Sequence, residues 1–161
     1  MTQLLSKRLI FVTGKGGVGK TAVAAALGMV AARRGLRTIV AEVARRDDVH
    51  RALAGSAGGW SESAVADGLY ALSVDPELAM REYLDDQLAA PLSDLLGGSR
   101  LFAYLAAATP GMRELLTVGK LWELSQHERR TPGAEPYDLV VVDAPATGHG
   151  LALLDPPRTF G

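Results

Sequence analysis

Four strand-like stretches punctuate the chain: Leu9-Ile10-Phe11-Val12, Arg37 to Val43, Leu69 to Val74 and Tyr137 to Asp143. Short apolar runs without strict alternation mark strands buried on both faces. Between the first two lies an alanine-rich segment, Thr21 to Ala32, which closes on Arg33-Arg34-Gly35. Cations at the last turn and a glycine just beyond it are C-terminal helix signals. Strand, helix, strand in that order predicts a βαβ unit, hence a parallel sheet covered by helices.

The later pattern extends this architecture. Residues 44–50 are polar and lead into a short helix through Leu53, and residues 55–63 read as a Gly/Ser loop. Asp75-Pro76-Glu77 opens a helix, with Asp as N-cap, Pro in the first turn and Glu at the positive end of the dipole. Residues 77–130 read as helical with breaks at Pro91 and Gly97-Gly98, and Thr109-Pro110-Gly111 starts a last segment reaching about Arg130. Leu115, Leu116, Val118, Leu121, Trp122 and Leu124 predict its apolar face. The turn Thr131 to Pro136 precedes the fourth strand. The reading is α/β, with a mostly parallel sheet, helices on both faces and a mainly helical insertion over about 76–130.

With 161 residues the chain is sized for one domain. A net charge of −1 removes any bulk electrostatic case for binding nucleic acid or an anionic membrane. There is no cysteine, so neither disulfides nor a thiolate metal site enter. No apolar run approaches a membrane span, the first eight residues do not resemble a signal peptide, and the cytoplasm is the expected compartment.

The chemistry concentrates at Gly14-Lys15-Gly16-Gly17-Val18-Gly19-Lys20-Thr21, which fits G-x-x-x-x-G-K-[ST] between the first strand and the first helix. In that context successive backbone N–H groups and a helix N-terminus point at phosphate. The alternative, a glycine-rich turn with a solvated lysine, explains none of the flanking pattern. Mg²⁺ takes oxygen ligands, and Thr21 with a strand-end carboxylate supplies them; Asp143, closing the fourth strand, is that carboxylate. Ala144-Pro145-Ala146-Thr147-Gly148-His149-Gly150 follows as a small-residue loop suited to sensing a γ-phosphate. His149 in it reads as a packing or capping residue rather than a general base.

Here a resemblance becomes evident. Gly14 to Thr21, with its additional Lys15, resembles the deviant Walker A motif of the family containing ArsA, the guided-entry ATPases for tail-anchored proteins, MinD and ParA. Asp143 to His149 resembles the switch II segment of the ArsA and guided-entry branch. Asp75-Pro76-Glu77, with Arg81-Glu82-Tyr83, and Thr109 to Leu115 also look like that branch. Departures from the pattern suggest a bacterial ArsA-like subgroup.

The resemblance implies a P-loop NTPase fold and Mg²⁺-dependent ATP hydrolysis that drives a dimer switch and, in the family's sense, can be coupled to transport. It also implies a homodimer or a heterodimer with a paralogue, and a membrane-protein partner or client. Lys20 would contact the β and γ phosphates, and Lys15 would reach the partner's nucleotide across the dimer. The branch carries a switch I aspartate after the second strand that orients the attacking water. This chain reads Ala41-Glu42-Val43-Ala44-Arg45-Arg46-Asp47-Asp48, with no aspartate in register and with Glu42 and Asp47 the nearest substitutes. Two further readings stay open: a nucleotide-switched targeting or partitioning protein, and an ATP-binding protein that does not hydrolyse. The chain stops soon after Asp143 where family members continue, so it is expected to be the N-terminal portion of one P-loop ATPase domain.

Overall fold

The structure, a computed structural model, describes residues 2–43, 47–87, 104, 108–109, 111–131 and 133–146. In chain order the elements are α1 (Thr2–Leu5), β1 (Leu9–Val12), α2 (Lys20–Ala32), β2 (Thr38–Glu42), α3 (Asp48–Ala54), β3 (Ser63–Ala66), β4 (Leu69–Ser73), α4 (Pro76–Gln87), α5 (Met112–Leu124) and β5 (Leu139–Asp143). The predicted breaks at Pro91, Gly97-Gly98 and Pro110 lie outside the described residues, as do residues 44–46 and the loop from Thr147 onward.

The strands form one sheet in the order β1-β5-β2-β4-β3. The first four run parallel, and β3 pairs antiparallel with β4 at the edge. Four strands were predicted and a fifth is present. Ser63–Ala66 alternates half-buried and exposed positions, so it lacks the apolar run that marked the others. Its sequence signal is the Asp67-Gly68 turn, where Gly68 takes φ 66°. An Asp-Gly pair between short strands is a hairpin mark.

Each face of the sheet carries its own core. On one side α2 and α3 cover Ile10, Val40, Ala71 and Val141; on the other α5 covers Ile39, Ala41, Val140 and Val142. All five residues of β2 and of β5 are buried. Burial on both faces explains why these strands read as continuous apolar runs, with about 1.5–3 kcal/mol of stabilisation for each large aliphatic side chain. Gly28 lets α2 lie close on the sheet, since a Cβ there would stand 2.5 Å from Val40 Cγ2. Asp75 caps α4 as predicted, its Oδ1 accepting the Glu77 amide at 2.9 Å.

Helix α5 departs from the predicted pattern. It ends at Leu124, short of Arg130, in a turn where Ser125 N–H donates to Trp122 O at 3.0 Å. Its buried residues are Thr117, Lys120, Leu121, Glu123 and Leu124, while Leu115 and Trp122 are 66% and 55% exposed. Lys120 replaces the expected apolar residue because the helix packs on acids. Its Nζ donates to Glu82 Oε1 at 2.7 Å and lies 3.2 Å from Glu123 Oε2. Arg129 turns back to Glu123 at 2.8 Å and to Glu62 at 2.6 Å, and the Tyr137 hydroxyl donates to Glu62 at 2.8 Å.

This buried network ties α4, α5 and the β3 hairpin to the start of β5. Burial alone would raise the Glu123 carboxyl. The Arg129 hydrogen bond and the charges of Lys120 and Arg129 outweigh it and hold the group below the ordinary carboxylate range. Burial, with the Glu62 carboxylate beside it, pushes the Tyr137 phenol up.

Candidate functional site

The glycine loop leaves the carboxyl end of β1, and the backbone shows why it is glycine-rich. Gly17 and Gly19 hold φ of 75° and 85°, where a side chain is strained. Gly19 occupies the N-cap position of α2 without a side-chain cap, so the first amides of the helix are left for another acceptor. Lys20 folds back over the loop, its Nζ donating to Lys15 O at 3.1 Å. The Lys15 side chain is exposed, as is Val18.

Because β5 is inserted between β1 and β2, Asp143 ends beside the loop. Val12 pairs in register with Asp143, and Asp143 with Glu42. Thr21 Oγ1 donates to Asp143 Oδ2 at 2.6 Å. Backbone bonds pin the same edge: Val43 N–H donates to Asp143 O at 3.1 Å, and Ala144 N–H to Val12 O at 3.0 Å. A cavity of about 550 Å³ opens here, walled by Gly16, Gly17, Lys20, Thr21, Asp143 and Pro145. Its donor set fits a magnesium triphosphate: an ammonium and loop amides for phosphate, a hydroxyl and a carboxylate as hard oxygen ligands.

The predicted residues therefore divide. Gly16, Gly17, Gly19, Lys20, Thr21 and Asp143 come together around one cavity. Glu42 and Asp47 do not wall it. Glu42 is 1% exposed, and its Oε2 accepts the Val49 amide at 3.0 Å, tying the head of α3 to the edge of the sheet. Asp47 stands before α3 with φ 53° and accepts the Ser73 hydroxyl on Oδ1 at 2.6 Å. Ser73 went unnoticed in the sequence, where a lone serine ending a strand carries no motif. His149 lies outside the described residues. A second cavity of about 350 Å³ lies between α4 and α5, but its one lysine, Lys120, is engaged by Glu82 and Glu123.

A parallel sheet with helices on both faces and a glycine loop running from strand to helix defines a P-loop nucleoside-triphosphatase fold. Residues 7–161 match the model of the anion-transporting ATPase family, and the chain belongs to that family. It is 38% identical over 154 residues to an uncharacterised protein of Streptomyces coelicolor, covering 94% of this chain and 37% of that protein. It is 32% identical to ATPase BagA of Mycobacterium tuberculosis, covering 96% and 47%. It is 30% identical to ATPase GET3 of Lachancea thermotolerans, covering 94% and 45%. The chain thus spans less than half the length of these relatives. Among the described residues no helix is long and apolar enough to cross a membrane.

Proposed function

We propose that this chain is the nucleotide-binding part of a Mg²⁺-dependent ATPase that works as a dimer switch. The observation that carries the reading is the Thr21–Asp143 pair, 2.6 Å apart at the mouth of the glycine loop. Loop amides and Lys20 would hold the β and γ phosphates, while Thr21 and Asp143 would hold the metal directly or through its waters. When bound, Mg²⁺ would neutralise charge developing on the phosphates. Lys15, exposed on the loop, would act on the nucleotide of a second subunit.

Of Glu42, which ends β2, and Asp47 beyond it, Asp47 is the better candidate to orient the attacking water. Glu42 is committed to the Val49 amide, and withdrawing it would leave a buried donor unpaired at about 1–3 kcal/mol. Residues 1–161 form part of one such domain, and transport or targeting of a client would depend on the whole protein. A second reading, nucleotide binding without hydrolysis, is favoured by one observation: neither Glu42 nor Asp47 walls the cavity.

Calorimetry tests the core of the proposal. Lys20→Ala should abolish ATP binding, and retained binding would remove the phosphate-loop reading. Phosphate release by the wild-type protein then separates hydrolysis from binding alone.

A further inference from the structure

We infer that Ser73 is a positioning residue for hydrolysis, acting by holding the Asp47 carboxylate through its hydroxyl. The inference rests on the ATPase reading above. Ser73 closes β4, is 5% exposed, and donates from Oγ to Asp47 Oδ1 at 2.6 Å. The hydroxyl is carried on fixed backbone. Ser73 N–H donates to Gly59 O and Val74 N–H to Glu42 O, both at 2.8 Å.

Asp47 gives the second observation. It is the one non-glycine residue with positive φ among the described residues, at 53°. Aspartate tolerates this conformation better than most residues, but it is uncommon and is kept where surroundings impose it. The Ser73 bond is such a constraint. It occupies Oδ1, and among the described residues Oδ2 makes no hydrogen bond. A carboxylate held by one oxygen and accepting with the other is the arrangement that orients a water.

Placement is the third. Ser73, Glu42 and Asp143 are consecutive partners across β4, β2 and β5 at the carboxyl edge of the sheet. In-register parallel neighbours share a face, so Ser73 lies on the α2 side with Asp143, about 10 Å away at ordinary strand spacing. A serine at this position therefore bears on the catalytic edge from outside the phosphate loop.

The test measures steady-state hydrolysis, ATP affinity and melting temperature on the intact protein, as wild type, Ser73→Ala, Asp47→Asn and the double variant. Asp47→Asn should lower kcat about 10²-fold or more. Ser73→Ala should lower it about 10-fold, with ATP affinity and melting temperature little changed. In the Asp47→Asn background, Ser73→Ala should have no further effect, because the two residues act as one unit. Wild-type turnover in Ser73→Ala, or fully additive losses in the double variant, would overturn the positioning role alone. A wild-type protein that binds ATP without hydrolysing it would overturn the ATPase reading and this inference with it.

Discussion

The hydroxyl of Thr21, at the head of α2, donates to the carboxylate of Asp143, at the tip of β5, across 122 residues of sequence and 2.6 Å of space. This bond joins the phosphate loop to the strand that would carry its metal. It exists because β5 pairs with β1 and β2 at once, placing its last residue between Val12 and Glu42.

Asp143→Asn should preserve the fold, since the amide is nearly isosteric and still accepts from Thr21. It removes the charge a divalent cation needs. We expect Mg²⁺-dependent turnover to fall at least about 10²-fold while metal-free nucleotide binding changes little. Calorimetry with and without Mg²⁺ checks this; equal metal dependence in variant and wild type would remove Asp143 from the site.

Lys15→Ala tests action in trans. Its side chain is exposed, and its carbonyl, which the substitution keeps, is what receives Lys20. In the intact protein ATP binding should be spared, while turnover and ATP-dependent dimerisation, read by light scattering, should both drop. Unchanged turnover would argue against a role across the interface.

At Gly28 two effects compete. Alanine improves helix propensity by about 1 kcal/mol. Its Cβ would stand 2.5 Å from Val40 Cγ2, whose β-branched side chain cannot swing away. Overpacking of this kind costs about 1–3 kcal/mol, so Gly28→Ala should destabilise on balance. Urea unfolding measures it, and a stabilised variant would contradict the close packing of α2 on β2.

The Glu123 network makes stability depend on pH with a definite sign. Its folded carboxyl titrates below the ordinary glutamate value. The stabilisation is thus present above that value and is lost as the pH falls through the lower folded one. Glu123→Gln takes one of two carboxylate partners from each of Lys120 and Arg129, which keep Glu82 and Glu62, and should cost about 1–3 kcal/mol at neutral pH. The gap between variant and wild type should narrow in acid; a constant gap would mean that Glu123 acts by packing alone.

The glycine loop was legible because all its determinants are contiguous: a strand, four glycines of which Gly17 and Gly19 hold left-handed backbone, and a lysine and a threonine at a helix start. Strands β2, β4 and β5 were legible because burial on both faces writes itself as an apolar run, and the half-buried edge strand β1 carries the same kind of run. Strand β3 was missed because one of its faces is exposed and its short alternating pattern is weak. The face of α5 was read in part: Leu121 and Leu124 are buried as predicted, but Lys120 and Glu123 are buried through partners on α4 and beyond the helix end, which no periodicity announces.

The sequence by itself determined a glycine loop between strand and helix, a parallel α/β sheet and a carboxylate at a strand end, since each depends on neighbours in the chain. Only the tertiary structure decided strand order, and with it the meeting of Asp143 with Thr21, the commitment of Glu42 to α3 and the hold of Ser73 on Asp47. Those relations arise from in-register pairing of distant strands, where position along the sheet edge, not along the chain, sets which side chains meet.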